Sequence, residues 1–193
     1  DKYIGDAIMA LFTEKGSDAV KSALDMLKKL EKLNKIRVKE KSPTIAIGIG
    51  INTGSVMLGT LGVEDRLEGS VISDTVNVAA RLEELTKFYK VPLLIGGETE
   101  KNLDDKSIAR REIDYIEVKG KQNKISIFEV YQWESEEIIF KKNNLKKLFA
   151  ESLMLYREKN YKKCLNNLKK YKKELPDDKI ADIYIERCNL EIN

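Results

Sequence analysis

The chain has 193 residues, 42% of them apolar, with 35 basic side chains against 32 acidic ones and a net charge of +3. That is enough for one ordinary domain with a small addition; the longest near-continuous apolar run, Ile45 to Ile51, falls far short of the roughly 20 residues that a membrane-spanning helix needs. No histidine occurs, which excludes His-based zinc sites and Ser/Cys–His nucleophile chemistry within this chain and leaves carboxylates, lysine, arginine and backbone amides as its chemical tools.

The two cysteines, Cys164 and Cys188, fall on apolar positions of helical patterns and are too few to staple a scaffold. They read as core thiols, and the expected compartment is reducing: the cytoplasm, or the cytoplasmic face of a membrane in a longer protein. Asp1 is preceded by no Met and followed by no basic-then-apolar leader, so the start is expected to be an internal point of such a protein. Charge is uneven. Between Lys141 and Glu174 eleven lysines and one arginine face three glutamates, a net +9 that leaves the remainder at −6. Lysines opposite an apolar helix stripe are read here as a solvated face, with no nucleic acid and no membrane bound by this chain.

In chain order, residues 3–12 predict two short strands joined at Gly5-Asp6, with glycine first in the turn as a type II′ hairpin prefers. Ser17 is a candidate N-cap for a helix that buries Val20, Ala23, Leu24, Leu27, Leu30 and Leu33 and ends near Lys39, covering one sheet face. The β-branched, glycine-spaced stretch Thr44 to Asn52 and the run Val56 to Leu61 predict a second hairpin or bulged pair. After a polar loop, 62–69, come a short strand over Ser70 to Ser73 and a helix from about Asp74 with Val78, Ala79, Leu82 and Leu85 on its apolar stripe. Val91 to Ile95 predicts a buried strand; Ile113 to Val118 and Ile125 to Tyr131 predict a last hairpin around Gly120. The whole predicts an α+β sandwich, one sheet with helices on one face.

From Lys141 the pattern turns helical. Leu145, Leu148, Phe149, Leu153 and Tyr156 line one helix, Tyr161, Cys164, Leu165 and Leu168 a second that Pro176 ends, and Ile180, Ile183, Tyr184 and Cys188 a third. This tail, 141–193, looks like one and a half tetratricopeptide-type units. So short an array buries its own faces poorly, so it should lean on the preceding domain or on a protein partner.

Three blocks carry chemistry: Asp1-Lys-Tyr-Ile-Gly-Asp6 and its continuation to Phe12, Gly48-Ile-Gly-Ile-Asn-Thr-Gly54, and Ser70-Val-Ile-Ser-Asp-Thr-Val-Asn77-Val-Ala-Ala-Arg81-Leu-Glu83. In this order, over roughly residues 1–131, they resemble the class III adenylate and guanylate cyclases. The resemblance implies a ferredoxin-like cyclase sandwich, ending by residue 133 and lacking its first strand and helices, followed by a small all-α tail.

The residues suit the reaction that the resemblance implies. Cyclising a nucleoside triphosphate drives the ribose 3′-oxygen in line onto the α-phosphorus while charge grows on the departing pyrophosphate. Asp6, at a hairpin tip, is a rigid and reachable oxygen ligand and matches the second metal aspartate of the family. Asn77 and Arg81, four apart on a helix, project from one face, where the amide can position the ribose and the guanidinium can neutralise phosphoryl charge. The bland alternatives are a turn-capping aspartate and an ordinary surface pairing of Arg81 with Glu83 or Glu84.

Lys2 and Ser70 match the two base-reading positions. Lysine donates to the unprotonated N1 of adenine, so Lys2 points to ATP, whereas a hydroxyl at Ser70 serves either base. At Ser73 the sequence departs from the family, where glycine is commoner, and this is expected to alter the turn into the helix slightly. The family's other metal aspartate lies on a Phe-x-Asp strand a few dozen residues before the Gly-Asp hairpin, and no such segment precedes Asp6 here. The resemblance thus implies an adenylate cyclase, using two Mg2+ or Mn2+ ions per site at a homodimer interface, represented by a piece that is inactive alone. The alternatives are a guanylate cyclase, and a non-catalytic dimerisation or regulatory module whose tail binds a protein.

Overall fold

The computed structural model describes the backbone of residues 2–61, 68–117 and 124–192, with the side chains at 58–61 and 68–72 outside the described set. Strands β1 (Lys2–Ile4) and β2 (Ala7–Met9) pair antiparallel, with Lys2 opposite Met9. Gly5 in the turn has φ +63 while Asp6 does not have a positive φ, the pattern of a II′ turn that needs glycine only in its first position.

Helix α1 (Gly16–Lys39) buries Val20, Ala23, Leu24 and Leu27 as expected. Lys15 holds its N-cap position, so the predicted cap Ser17 instead lies buried inside the first turn. Leu33 is exposed.

The central sheet has four strands in the order β3 (Ile49–Ile51), β6 (Leu93–Gly96), β8 (Ile125–Val130) and β7 (Arg110–Ile116). The β3–β6 pair is parallel and the other two pairs are antiparallel. The predicted pairing of the Thr44–Asn52 stretch with the Val56–Leu61 run is therefore corrected. Ile49–Ile51 pairs with Leu93–Ile95, while β4 (Met57–Leu61) pairs with β5 (Glu68–Ile72) in a two-stranded sheet of its own. Between β5 and β6 runs helix α2 (Asp74–Tyr89), and a short helix α3 (Gly97–Lys101), not anticipated from the sequence, follows β6. Of the predicted polar loop 62–69, Glu68 and Gly69 belong to β5, which starts two residues before the predicted strand, while 62–67 and the Gly120 turn lie outside the described residues.

Strand alternation sorts the sheet into two faces. Leu93, Ile95 and Val130 pack with α1, whereas Leu94, Ile113 and Ile127 pack with Val78, Leu82 and Tyr89 of α2 and with the tail. Helices thus cover both faces, which corrects the expectation of a single covered face. The reason is that α1 and α2 pack on opposite faces, and the tail extends the α2 face: α4 (Glu136–Arg157), α5 (Tyr161–Glu174) and α6 (Lys179–Ile192) share one continuous core with the sheet through Phe149, Leu168, Tyr171 and Tyr184. Each such fully buried side chain contributes roughly 1.5–3 kcal/mol of transfer free energy, so the tail leans on the domain, as a short array must. The tetratricopeptide likeness rests on the sequence pattern alone. Cys164 and Cys188 are buried free thiols in this core, and burial pushes the Cys164 thiol up to about 12. Most tail lysines are exposed, but Lys142 is buried, contrary to the expected solvated face.

Candidate active site

Helix α2 carries the densest part of the candidate site, and the glycine block explains where it lies. A Cβ built on Gly50 would stand 2.3 Å from both the Ala79 carbonyl oxygen and the Glu83 nitrogen, and one on Gly48 would collide with Thr86 Oγ1. The helix backbone rests directly on β3 because these two positions, both on the helix-facing side of the strand, have no side chain. Ile49 and Ile51, on the other side, pack toward α1.

The N-terminus of α2 is tied to the same block. Ser73 caps the helix, its Oγ accepting from Thr75 N (3.0 Å) and donating to the Ser55 carbonyl (2.6 Å). Thr75 Oγ1 donates to the same carbonyl (3.0 Å), and Asn52 Nδ2 donates to the Thr75 carbonyl (3.2 Å). Serine at position 73 is therefore a working N-cap in extended backbone, where no left-handed conformation calls for glycine.

With Val78 and Leu82 turned into the core, Asn77 and Arg81 stand one turn apart on the exposed side of α2. Arg81 Nη1 donates to Glu84 Oε2 (2.9 Å), the surface pairing weighed above. An exposed pair of this kind is worth about 0.2–1 kcal/mol, so a triphosphate can readily displace Glu84. Asp6 is exposed at the β1–β2 turn, Lys2 is half-buried on β1, and Ser70 lies on β5 opposite Gly59, its side chain outside the described set. The structure thus brings Asn77 and Arg81 together and carries Lys2 and Asp6 on a separate hairpin. Among the described residues no group of three or more Cys, Asp or Glu side chains could hold a metal ion. Asp6 alone does not make a two-ion site.

Sequence reasoning missed two polar clusters between sheet and tail. In the first, Arg111 of β7 is fully buried and donates to Glu129 Oε2 of β8 (2.6 Å), to Asp178 Oδ2 (2.6 Å) and to the Tyr171 hydroxyl, with its guanidinium 4.2 Å from the Phe149 ring centre. Burial alone would lower the Arg111 pKa, but Glu129 and Asp178 raise it well above its ordinary value. Lys142 of α4 closes the cluster by donating to Glu129 and Glu134 (2.8 Å each). The available signal was strand phase: Arg111 alternates with Ile113, and Glu129 with Ile125 and Ile127.

In the second cluster, Tyr89 at the end of α2 donates to Asp114 Oδ2 (2.6 Å), and Arg187 Nη1 of α6 donates to the same oxygen (2.8 Å). Burial pushes the Asp114 carboxyl up, but the hydrogen bonds from Tyr89 and Arg187 outweigh it and hold the group below the usual carboxylate range.

The sequence model of the adenylate and guanylate cyclase catalytic domain matches residues 2–132. An adenylate cyclase of Anabaena cylindrica is 45% identical over 137 residues, covering 67% of this chain and 27% of that protein. The terminal-differentiation-specific adenylate cyclase of Dictyostelium discoideum is 34% identical over 196 residues, covering 97% of this chain, tail included, and 9% of that protein. A solved bacterial light-regulated adenylyl cyclase superposes with a TM-score of 0.60 at 27% identity, over 77% of this chain and 43% of that one. The fold and the glycine-packed helix define a mixed α+β nucleotidyl-cyclase domain. The chain belongs to the adenylate and guanylate cyclase catalytic domain family. It spans well under a third of the length of these two curated relatives, and among the described residues no helix is long and apolar enough to cross a membrane.

Proposed function

We propose that the chain is part of an adenylate cyclase catalytic domain, one that converts ATP to cyclic AMP and pyrophosphate at a site shared between two head-to-tail copies. The observation that carries this reading is the pair Asn77 and Arg81, exposed one turn apart on a helix whose position is set by glycine contacts. Asn77 orients the ribose so that its 3′-oxygen faces the α-phosphorus. Arg81 leaves Glu84 and neutralises the charge that grows on the phosphoryl oxygens as the bond to pyrophosphate breaks. Lys2 and Ser70 read the adenine, and the similarity to two adenylate cyclases supports ATP over GTP.

Divalent metal, Mg2+ or Mn2+, is the family's expected cofactor, with Asp6 as one ligand. A single carboxylate does not hold two ions, so the chain by itself should form little cyclic AMP. Lys2 and Asp6, neighbours on one hairpin, would serve the two different sites of the dimer.

The test is a graft in which the chain replaces the matching segment of the Anabaena cylindrica relative. The graft should make cyclic AMP from ATP; Asp6→Asn and Arg81→Ala should each abolish activity; and mixing the two inactive variants should restore part of it, because a mixed dimer regains one complete site. A folded graft without activity, or a mixture without recovery, would overturn the reading.

A further inference from the structure

We infer that Arg187, on the tail, is a positioning residue for catalysis: through Asp114 and Tyr89 it fixes α2 and, with it, the exposed pair Asn77 and Arg81. The inference rests on the function proposed above and adds to it a role for a residue outside the segment that the family model matches.

Asp114 reaches this position through an irregularity in the sheet. Along β7 the register with β8 shifts between Glu112 and Asp114, so that Ile113 is an extra residue. Without the shift, alternation would send Asp114 to the face of Glu112 and Phe128, on the α1 side of the sheet and away from α2. With it, Ile113 and Asp114 both face the helices, Tyr115 turns outward, and Ile116 packs on the core again. Bulges of this kind re-aim one side chain at a local cost in ladder bonding. Here the re-aimed group is a carboxylate, and one of its oxygens takes both Tyr89 and Arg187.

Tyr89 is the last residue of α2 and is almost wholly buried. Its hydroxyl is a handle on the helix end opposite the Ser73 cap. Asn77 lies 12 positions earlier, about 18 Å along the axis at helical rise, and a helix held at its cap, on Gly50 and at Tyr89 has no free rotation about that axis. Arg187 holds the clamp from the tail side, its guanidinium 4.9 Å from the Tyr184 ring centre and 5.8 Å from that of Phe88, the neighbour of Tyr89. Tyr184 in turn donates to the Ile113 carbonyl, next to the re-aimed aspartate (2.9 Å). The similarity to the Dictyostelium discoideum enzyme, which covers 97% of the chain, extends over this tail as well.

The test compares Arg187→Gln, Arg187→Lys and Tyr89→Phe by two readouts: amide hydrogen exchange in the full chain, and kcat and KM for ATP in a graft that keeps the whole chain, tail included. Arg187→Gln and Tyr89→Phe should speed exchange along α2 about tenfold or more, Asn77 to Arg81 included, while leaving α1 and β6 unchanged. They should lower kcat several-fold with KM within about twofold, and Arg187→Lys should recover much of both losses. Unchanged α2 exchange, or an equal speed-up in every element with no rescue by lysine, would overturn the inference. If the unaltered graft is inactive the proposed function fails instead, and the exchange comparison still decides whether Arg187 holds α2.

Discussion

Arg111 and Asp178 stand 67 positions apart in sequence, yet they meet in a buried ion pair of 2.6 Å that joins the central sheet to the start of the last helix. Neither partner has access to water, so the energetics are those of desolvated charges. Replacing a buried pair by apolar groups is often neutral, but removing one partner strands the others, at about 3–5 kcal/mol. Arg111→Met should therefore destabilise the chain by an amount in that range, read as a shift in denaturant midpoint. A change below about 1 kcal/mol, the scale of an exposed pair, would show that the cluster carries little of the fold.

Two acids of this cluster should bend the pH dependence of stability in opposite directions. Burial pushes Asp178 up, but Arg111 and Lys142 outweigh it and leave its pKa lowered. Its contribution is therefore present above the unfolded aspartate value, about 3.9, and is lost as the pH falls through the lower folded value. Burial raises Glu134 more than Lys142 lowers it, and its Oε2 is buried with no hydrogen-bond partner among the described residues. Its contribution is present below the unfolded glutamate value, about 4.3, and is lost as the pH rises through the folded one. Asp178→Asn should flatten the acid limb of a stability-against-pH curve, whereas Glu134→Gln should improve stability at neutral pH relative to the unaltered chain.

Gly50→Ala should be more damaging than its single methyl group suggests. The new Cβ would meet backbone atoms of α2, which cannot rotate aside as a side chain can. The helix must lift from β3, at a cost of at least the 1–3 kcal/mol typical of overpacking, and Asn77 and Arg81 must move with it. Thermal unfolding and kcat of the graft should fall together; an unaffected kcat would separate the helix position from catalysis.

On the proposed reading of Lys2 as a base-contacting residue, base choice follows from donor and acceptor matching there. Lysine can only donate and adenine N1 can only accept, while guanine presents an N1–H donor that lysine cannot satisfy. Leaving the guanine N1–H without an acceptor on binding costs roughly 1–3 kcal/mol, about 5- to 150-fold in discrimination. The graft should prefer ATP by a factor in that range, and Lys2→Glu should shift the preference toward GTP while lowering the overall rate. Faster turnover of GTP by the unaltered graft would overturn the adenylate assignment.

Much of the candidate site was legible because its determinants are local: a turn that needs glycine at position 5, a capped helix from Asp74, and two polar residues four apart. Strand pairing was less legible. Ile49–Ile51 is only three residues long, and its partner lies beyond α2, so nothing nearby distinguishes it from a hairpin strand. That the tail leans on the domain was expected, but the polar contacts that hold it there were hidden for a different reason. Arg111, Glu129 and Lys142 look like surface charges taken one at a time, and they become buried only because each neutralises another from a different element. The bulge at Ile113 was invisible too, since Arg110, Arg111 and Glu112 before it show no apolar alternation for an extra residue to interrupt.

Asp178 divides its carboxylate between two tasks. One oxygen accepts from the Ile180 and Ala181 amides (3.1 and 3.0 Å), closing the first turn of α6, while the other holds Arg111. Fraying of that helix end and release of the sheet are consequently a single event. The appended helices cannot melt in a step of their own, so calorimetry of the chain should record one transition whose van't Hoff and calorimetric enthalpies agree.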